Sequence, residues 1–277
     1  MNLTKTPPLG LAHFTAIHVP PLELVSLAAR AGYAAIGLRL YPAFPGAPFY
    51  EIRAGSAASR EMQQRLRGEG VRVYDIEFVT LSKDFVPASL TPVLEAASAL
   101  GAQRLSVCGD DPDHARMVTT FAGLCDLAAT FGMGVDLECM AWRRVSSFPQ
   151  AVQVATEAGR PNGGVLVDAL HLSRTGATPD DVRRRPAHLI RSAQLCDAVA
   201  ERPSSDEAII REARSGRLPP GRGALPLCDL LAALPDETVL SVEVPMDGSV
   251  PAEPHVRNVF TATQALFAAC RSSTNGG

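Results

Sequence analysis

Lysine is almost missing from this chain. Lys5 and Lys83 are the only two among 277 residues, and arginine makes up the rest of the 26 basic side chains. A Schiff-base aldolase needs a lysine on a strand. Lys5 falls in the N-terminal tail and Lys83 in the loop after a third apolar run, so that chemistry is disfavoured. Basic residues form no block or stripe and the net charge is −3, so neither nucleic acid nor an anionic membrane is expected as a partner. No apolar run approaches the roughly 18 residues of a membrane-spanning helix. The start, Met1 to Gly10, holds Pro-Pro and Gly but no apolar core, so no signal peptide is expected. Six cysteines (Cys108, Cys125, Cys139, Cys196, Cys228 and Cys270) are scattered without a C-x-x-C pair. That spacing disfavours a thiolate zinc site. Most of them sit in apolar segments, where a free thiol acts as a small hydrophobe, and a reducing cytoplasm is the simplest home.

What is present is a regular alternation. Hydrophobic residues make up 46% of the chain, enough for one large core. Strand-like runs are expected at Leu11 to Ile17, Ala34 to Leu40, Val71 to Phe78, Arg104 to Cys108, Gly134 to Met140, Gly164 to Val167, His188 to Leu195 and Thr238 to Val244. Helical patterns lie between them: from Pro20-Pro21 to Gly32, Ser56 to Arg67, Pro92 to Leu100 with Thr91 as N-cap, Ala115 to Phe131, and Phe148 to Ala158. A last helix is expected over His255 to Ala269, with a frayed tail from Arg271 to Gly277. The stretch Asp197 to Leu225 reads as a long functional loop. Eight strands with intervening helices predict an α/β fold, a (β/α)8 TIM barrel, as a single domain over 1–277. The alternative, an open doubly wound sheet, wants a Gly-rich phosphate turn after its first strand, and none is present.

Strands of such a barrel are buried on both faces, so a charge at a strand's C-terminal end marks the face where barrel enzymes work. Glu138, Asp168, Gln194 and Glu243 break strands five, six, seven and eight in this way. Three carboxylates in a closed space repel one another and lose hydration, and a divalent cation relieves both penalties. All four donors are hard oxygens, suited to Mn²⁺, Mg²⁺ or Co²⁺, with Zn²⁺ as a further option. His171, one helical turn past Asp168, is placed to hydrogen-bond a ligand oxygen. Glu77 ends the third strand, Trp142 follows Glu138, and Arg214 and Arg217 lie in the long loop; these four are candidates for substrate contact. Asp75 and Asp136 share the parity of Glu77 and Glu138 one layer deeper, and read as barrel-interior hydrogen-bond partners. His13, Arg39 and His188 read as structural, and Asp197 receives no role. Gly221 and Gly223 are a faint phosphate-site signal, and an unphosphorylated substrate is preferred.

At these residues the chain resembles the xylose isomerase-like barrel superfamily, the sugar phosphate isomerases/epimerases. The resemblance rests on the Glu of Val-Asp-Leu-Glu, the Asp and His of Leu-Val-Asp-Ala-Leu-His, the Gln of Ala-Gln-Leu-Cys-Asp, the turn at Pro220 to Gly223, and the Glu of Leu-Ser-Val-Glu. It implies one divalent metal ion and proton transfer next to a carbonyl of a small carbohydrate-like substrate, with Glu138 and Glu243 moving the proton. Isomerase, epimerase and dehydratase members share this constellation. Many ketose epimerases carry His at the seventh-strand ligand; Gln194 stands there here, as in hydroxypyruvate isomerases and some dehydroshikimate dehydratases. Barrels of this kind often form homodimers. A non-catalytic, sugar- or partner-binding barrel is the remaining alternative.

Overall fold

The apolar runs of the sequence become eight parallel strands among the described residues. They are β1 (Leu9–Leu11), β2 (Ala35–Leu38), β3 (Arg72–Ser82), β4 (Arg104–Asp110), β5 (Gly134–Glu138), β6 (Gly163–Asp168), β7 (Ile190–Leu195) and β8 (Val239–Val242). They follow one another around a closed barrel, and β8 pairs with β1 through Leu9 and Leu240. The protein is thus a (β/α)8 TIM barrel, seen here as a computed structural model that describes Met1 and residues 6–274. The readings placed on Lys5 and on 275–277 lie outside these residues.

The outer layer carries α1 (Pro21–Ala31), α2 (Ala57–Glu69), α3 (Thr91–Ala99), α4 (His114–Ala129), α5 (Phe148–Ala158), α6 (Ala169–Arg174), α7 (Pro179–Arg183), α8 (Asp206–Ser215), α9 (Leu227–Ala233) and α10 (Ala252–Thr274). Inside the barrel, Ser106 Oγ donates to Asp75 Oδ2 at 3.1 Å and Ser192 Oγ to Asp136 Oδ2 at 2.8 Å. Arg104 Nε also donates to Asp136 Oδ2, at 3.0 Å. The two aspartates therefore form the inward polar layer that strand parity predicted.

Several expectations are corrected. The first strand is short and earlier than Leu11 to Ile17. After Leu11 the chain turns into a 3-10 segment, His13–Ala16, which frees the amides of His13 and Phe14 to donate to Glu77 Oε1 and Oε2 at 2.7 and 3.2 Å. Thr91 opens α3 rather than capping it, because its hydroxyl donates to the Ala88 carbonyl at 2.9 Å. The Asp197 to Leu225 loop holds a true helix, α8, capped by Ser205 and begun by Asp206 and Glu207. The last helix runs on to Thr274, so residues 271–274 are helical rather than frayed. Cys228 and Cys270 form a disulfide joining α9 to α10, while Cys108, Cys125, Cys139 and Cys196 are free and buried. The pair lies 42 residues apart in sequence, so no local spacing reveals it.

Candidate active site

Where β5, β6 and β8 end, three carboxylates lie under one roof. Glu138 is the last residue of β5, and Asp168 is both the end of β6 and the N-cap of α6. That cap fixes Asp168: the His171 amide donates to its Oδ1 at 2.9 Å, which also places the His171 imidazole 3.8 Å from Glu138 Oε1. Glu138, Asp168 and His171 each offer a ligand atom, all within 4.8 Å of one another. Gln194, paired with Asp168 across the β6–β7 ladder, donates through Nε2 to Glu243 Oε1 at 3.3 Å.

Arg217 ties the two sides together. Its Nη1 donates to Asp168 Oδ2 at 2.6 Å, and Nη2 lies 2.9 Å from Glu243 Oε2. The loop that delivers it is built on Asp197, which sequence reasoning passed over. The buried Asp197 carboxylate accepts the amides of Ala198, Gly221 and Leu225 at 2.9, 3.0 and 2.9 Å. Its backbone pairs with Leu218, next to Arg217. A carboxylate thus already takes the Gly221 amide in the turn with the faint phosphate signal. Gly223 lacks a side chain because a Cβ there would collide with the Ala198 carbonyl oxygen.

Burial holds the Glu138 carboxyl well above its ordinary range, with Asp168 and Glu243 adding repulsion. Burial also pushes Glu243 up to about 7 against the pull of Arg217. For Asp168 burial acts upward, but Arg217 and His171 outweigh it and hold the carboxyl below its usual value. Burial lowers His171 to about 4, opposed by Asp168 and reinforced by Arg217, so its imidazole is neutral at neutral pH.

Above these groups a pocket opens to solvent. Glu138, His171, Trp142, Arg214, Arg217 and Glu243 line it. The Trp142 ring meets His171 edge-on at 5.2 Å, and Arg214 lies over the Phe44 ring at 5.0 Å, joining α8 to the β2–α2 loop across the mouth. Asp168 and Gln194 sit behind the lining, buried. Glu77 is also behind it, held by the amides of the 3-10 turn and facing Arg39 at 3.6 Å. Arg39, Phe14 and Phe78 line the wall opposite β5 and β6. Their only sequence signal is polar or aromatic residues at the ends of early strands.

The donor set fits a divalent cation. Ionised together, Asp168, Glu138 and Glu243 would carry three negative charges against the one positive charge of Arg217, leaving two for a bound cation to balance; burial alone instead favours protonated Glu138 and Glu243. Glu138 Oε1 is buried and has no hydrogen-bond partner among the described residues. A buried, unpartnered carboxylate oxygen is costly, and a cation would satisfy it. No described helix is long and apolar enough to cross a membrane.

Comparison with known proteins agrees with the barrel. A family model described as a xylose isomerase-like TIM barrel matches residues 25–264. A stretch of 129 residues, 45% of this chain, is 29% identical to 3-dehydroshikimate dehydratase of Pseudomonas aeruginosa and covers 20% of it. The chain spans about a fifth of the length of the curated relatives it matches. Among solved structures, the IOLI protein with a bound zinc atom superposes with a TM-score of 0.78 at 18% identity, over 95% of this chain and 98% of that one. D-psicose 3-epimerase, solved in the presence of D-fructose, gives 0.68 at 13% identity, over 94% of this chain and 99% of that one. At such identities the likeness is one of fold.

Proposed function

The chain belongs to the xylose isomerase-like TIM barrel family, and from that premise we propose that it is a metal-dependent isomerase or epimerase, moving a proton next to a carbonyl of a small sugar or hydroxy-carbonyl compound. The observation that carries this reading is the unpartnered, buried Oε1 of Glu138 beside Asp168 and His171 at the C-terminal face of the barrel. Glu138, Asp168, Gln194 and Glu243 would hold one divalent ion. Their oxygen donors favour Mn²⁺, Mg²⁺ or Co²⁺, and the nearby His171 nitrogen extends the choice to Zn²⁺, the metal bound by the IOLI protein. Such an ion, when bound, polarises a carbonyl oxygen and stabilises negative charge that develops on it.

The chain's own groups do the rest. Glu138 and Glu243 both face the pocket, so one removes a carbon-bound proton and the other returns it. Return to the neighbouring carbon isomerises the substrate; return to the other face epimerises it. His171, neutral, directs a hydrogen bond at a substrate oxygen and Arg217 holds the Asp168 and Glu243 carboxylates in place, while Trp142 and Arg214 flank the mouth. Glu77 faces Arg39 from behind the pocket wall at 3.6 Å. In a second reading the returned proton goes to a hydroxyl that leaves as water, a dehydration. The similarity to 3-dehydroshikimate dehydratases favours this reading. We read the chain 1–277 as one domain, working in the cytoplasm on a carbohydrate-like small molecule.

The test is elemental analysis of protein purified without chelator or affinity metal, followed by a turnover screen with ketoses, inososes and dehydroshikimate. About one divalent ion per chain and metal-dependent turnover are expected. Glu243→Gln should stay folded and lose about 100-fold or more in kcat, the usual contribution of a positioned acid–base group. Failure to take up Mn²⁺ on titration, or full activity in Glu243→Gln, would sink the proposal.

A further inference from the structure

Six buried side-chain polar atoms lack a hydrogen-bond partner among the described residues, and four of them belong to residues lining one pocket: Arg39, Glu138, Arg143 and His171. Glu138 and His171 belong to the cation side. Arg143 has Asp110, at 2.7 Å. Arg39 is different. Its side chain is only 3% exposed, its Nε is unpartnered among the described residues, and its ion pair with Glu77 is long at 3.6 Å. Burying a charged group with its donors unmet costs free energy unless something meets them.

Its surroundings fix it in place. The Phe14 and Phe78 rings lie 5.1 and 5.2 Å from the guanidinium carbon. Its backbone N–H donates to His13 Nδ1 at 3.0 Å, and its carbonyl accepts from Tyr50 at 2.9 Å. Gly37, two residues earlier, leaves the space that the Glu77 carboxylate fills; a Cβ there would overlap it. The remaining charge of Glu77 is a weak counterweight. Burial, with Asp75 adding repulsion, pushes its carboxyl up to about 7, although Arg39 pulls the other way. The other guanidiniums of the pocket are spoken for: Arg217 by Asp168 and Glu243, Arg143 by Asp110, while Arg214 lies over Phe44 at the exposed rim.

We propose that Arg39 determines specificity by binding a carboxylate of the substrate, so that the pocket takes a hydroxy-keto acid with its carbonyl toward Glu138 and Glu243 and its acid group toward β2. A guanidinium edge matches a planar carboxylate with two parallel hydrogen bonds. A phosphoryl group wants more donors, and the amide of Gly221, in the turn with the faint phosphate signal, is already taken by Asp197. This deepens the proposed function and rests on it for the reaction, but not for the binding preference.

Trp142 is the chain's one tryptophan and lines the pocket, so its fluorescence reports binding directly. Shikimate and gluconate, as acid probes, are titrated against the neutral myo-inositol and glucitol, each with and without Mn²⁺. The acids should bind at least about tenfold more tightly than the polyols. Arg39→Met should remove that preference by weakening acid binding at least about tenfold more than polyol binding, and Arg39→Lys, which keeps the charge, should retain part of it. Acids that bind no better than polyols overturn the proposal, as does an equal loss for both classes in Arg39→Met, or binding of inorganic phosphate that depends on Arg39 while carboxylates do not respond. An Arg39-dependent acid preference without Mn²⁺ uptake would leave this inference standing and remove only the metal-dependent reaction.

Discussion

Beneath the pocket, Asp75 keeps its carboxyl inside the barrel with one hydroxyl, Ser106 Oγ, donating to it at 3.1 Å. Burial pushes that carboxyl up to about 7; the Ser106 hydrogen bond pulls it down, and Asp136 and Glu243 push it further up. The folded pKa thus lies above the unfolded one, so the stabilising contribution is fully present below about pH 4 and is lost as pH rises through 7. Asp75→Asn stays neutral and keeps an acceptor for Ser106. Its melting temperature relative to wild type should therefore rise from pH 5 to pH 8, by an amount equivalent to at most about 3 kcal/mol, set by the roughly two pH units between 5 and the folded value. Glu77 loses the Asp75 repulsion in this variant, so the difference reports Asp75 together with its coupling to Glu77 and Glu243; a difference that does not vary with pH would show that the Asp75 carboxyl is ordinary. Residues of this kind were legible where a polar group interrupts an apolar run, as at Glu138, Asp168, Gln194 and Glu243. Arg39 and Asp197 were not. Their significance lies in partners brought to them by the closed barrel, Phe14 and Phe78 in one case and the Gly221 and Leu225 amides in the other.

The same contrast holds for elements. Strands β4 to β7 and helix α5 could be read from the sequence because glycines and apolar runs bound them. β1 lies away from its expected place because its three residues are too few for alternation to show, and the chain after Leu11 turns to serve Glu77. Helix α8 was hidden in a polar loop, although Ser205, Asp206 and Glu207 supply a start signal. It is held by a buried ion pair to α6: Arg174 Nε and Nη2 donate to Glu212 Oε2 and Oε1 at 2.8 and 2.7 Å. Arg217 in turn donates through Nε to the Ala213 carbonyl at 3.0 Å, so α8 is the platform of the arginine between Asp168 and Glu243. Glu212→Ala leaves Arg174 charged and buried alone, and should cost roughly 3–5 kcal/mol in urea unfolding. The double variant Arg174→Met with Glu212→Met should recover much of that loss. Additive losses would mean that the pair does not hold α8. Turnover, once a substrate is known, should fall in the single variant through a displaced Arg217.

At the scale of the whole molecule, the barrel closes where β8 returns to β1, and the outer layer closes where α10 packs against α1 and α9. Strand alternation made the first closure predictable. The second is spanned by Cys228 and Cys270, whose Cα atoms lie 5.3 Å apart at a sequence separation of 42. Closing a loop of that length removes conformations from the unfolded chain, and the bond should contribute roughly 2–4 kcal/mol. A reducing cytoplasm would keep both sulfurs as thiols, so the bond and the expected location make opposite claims about the working protein. Melting in the presence and absence of dithiothreitol decides between them. If the bond forms in solution, dithiothreitol lowers the wild-type melting temperature by several degrees, the range expected for a stability change of this size. The Cys228→Ser, Cys270→Ser double variant should melt low in both buffers. Wild type that melts alike in both buffers, together with a count of six free thiols after unfolding without reductant, would mean that packing of α10 closes the outer layer alone, and the cytoplasmic reading would stand without conflict.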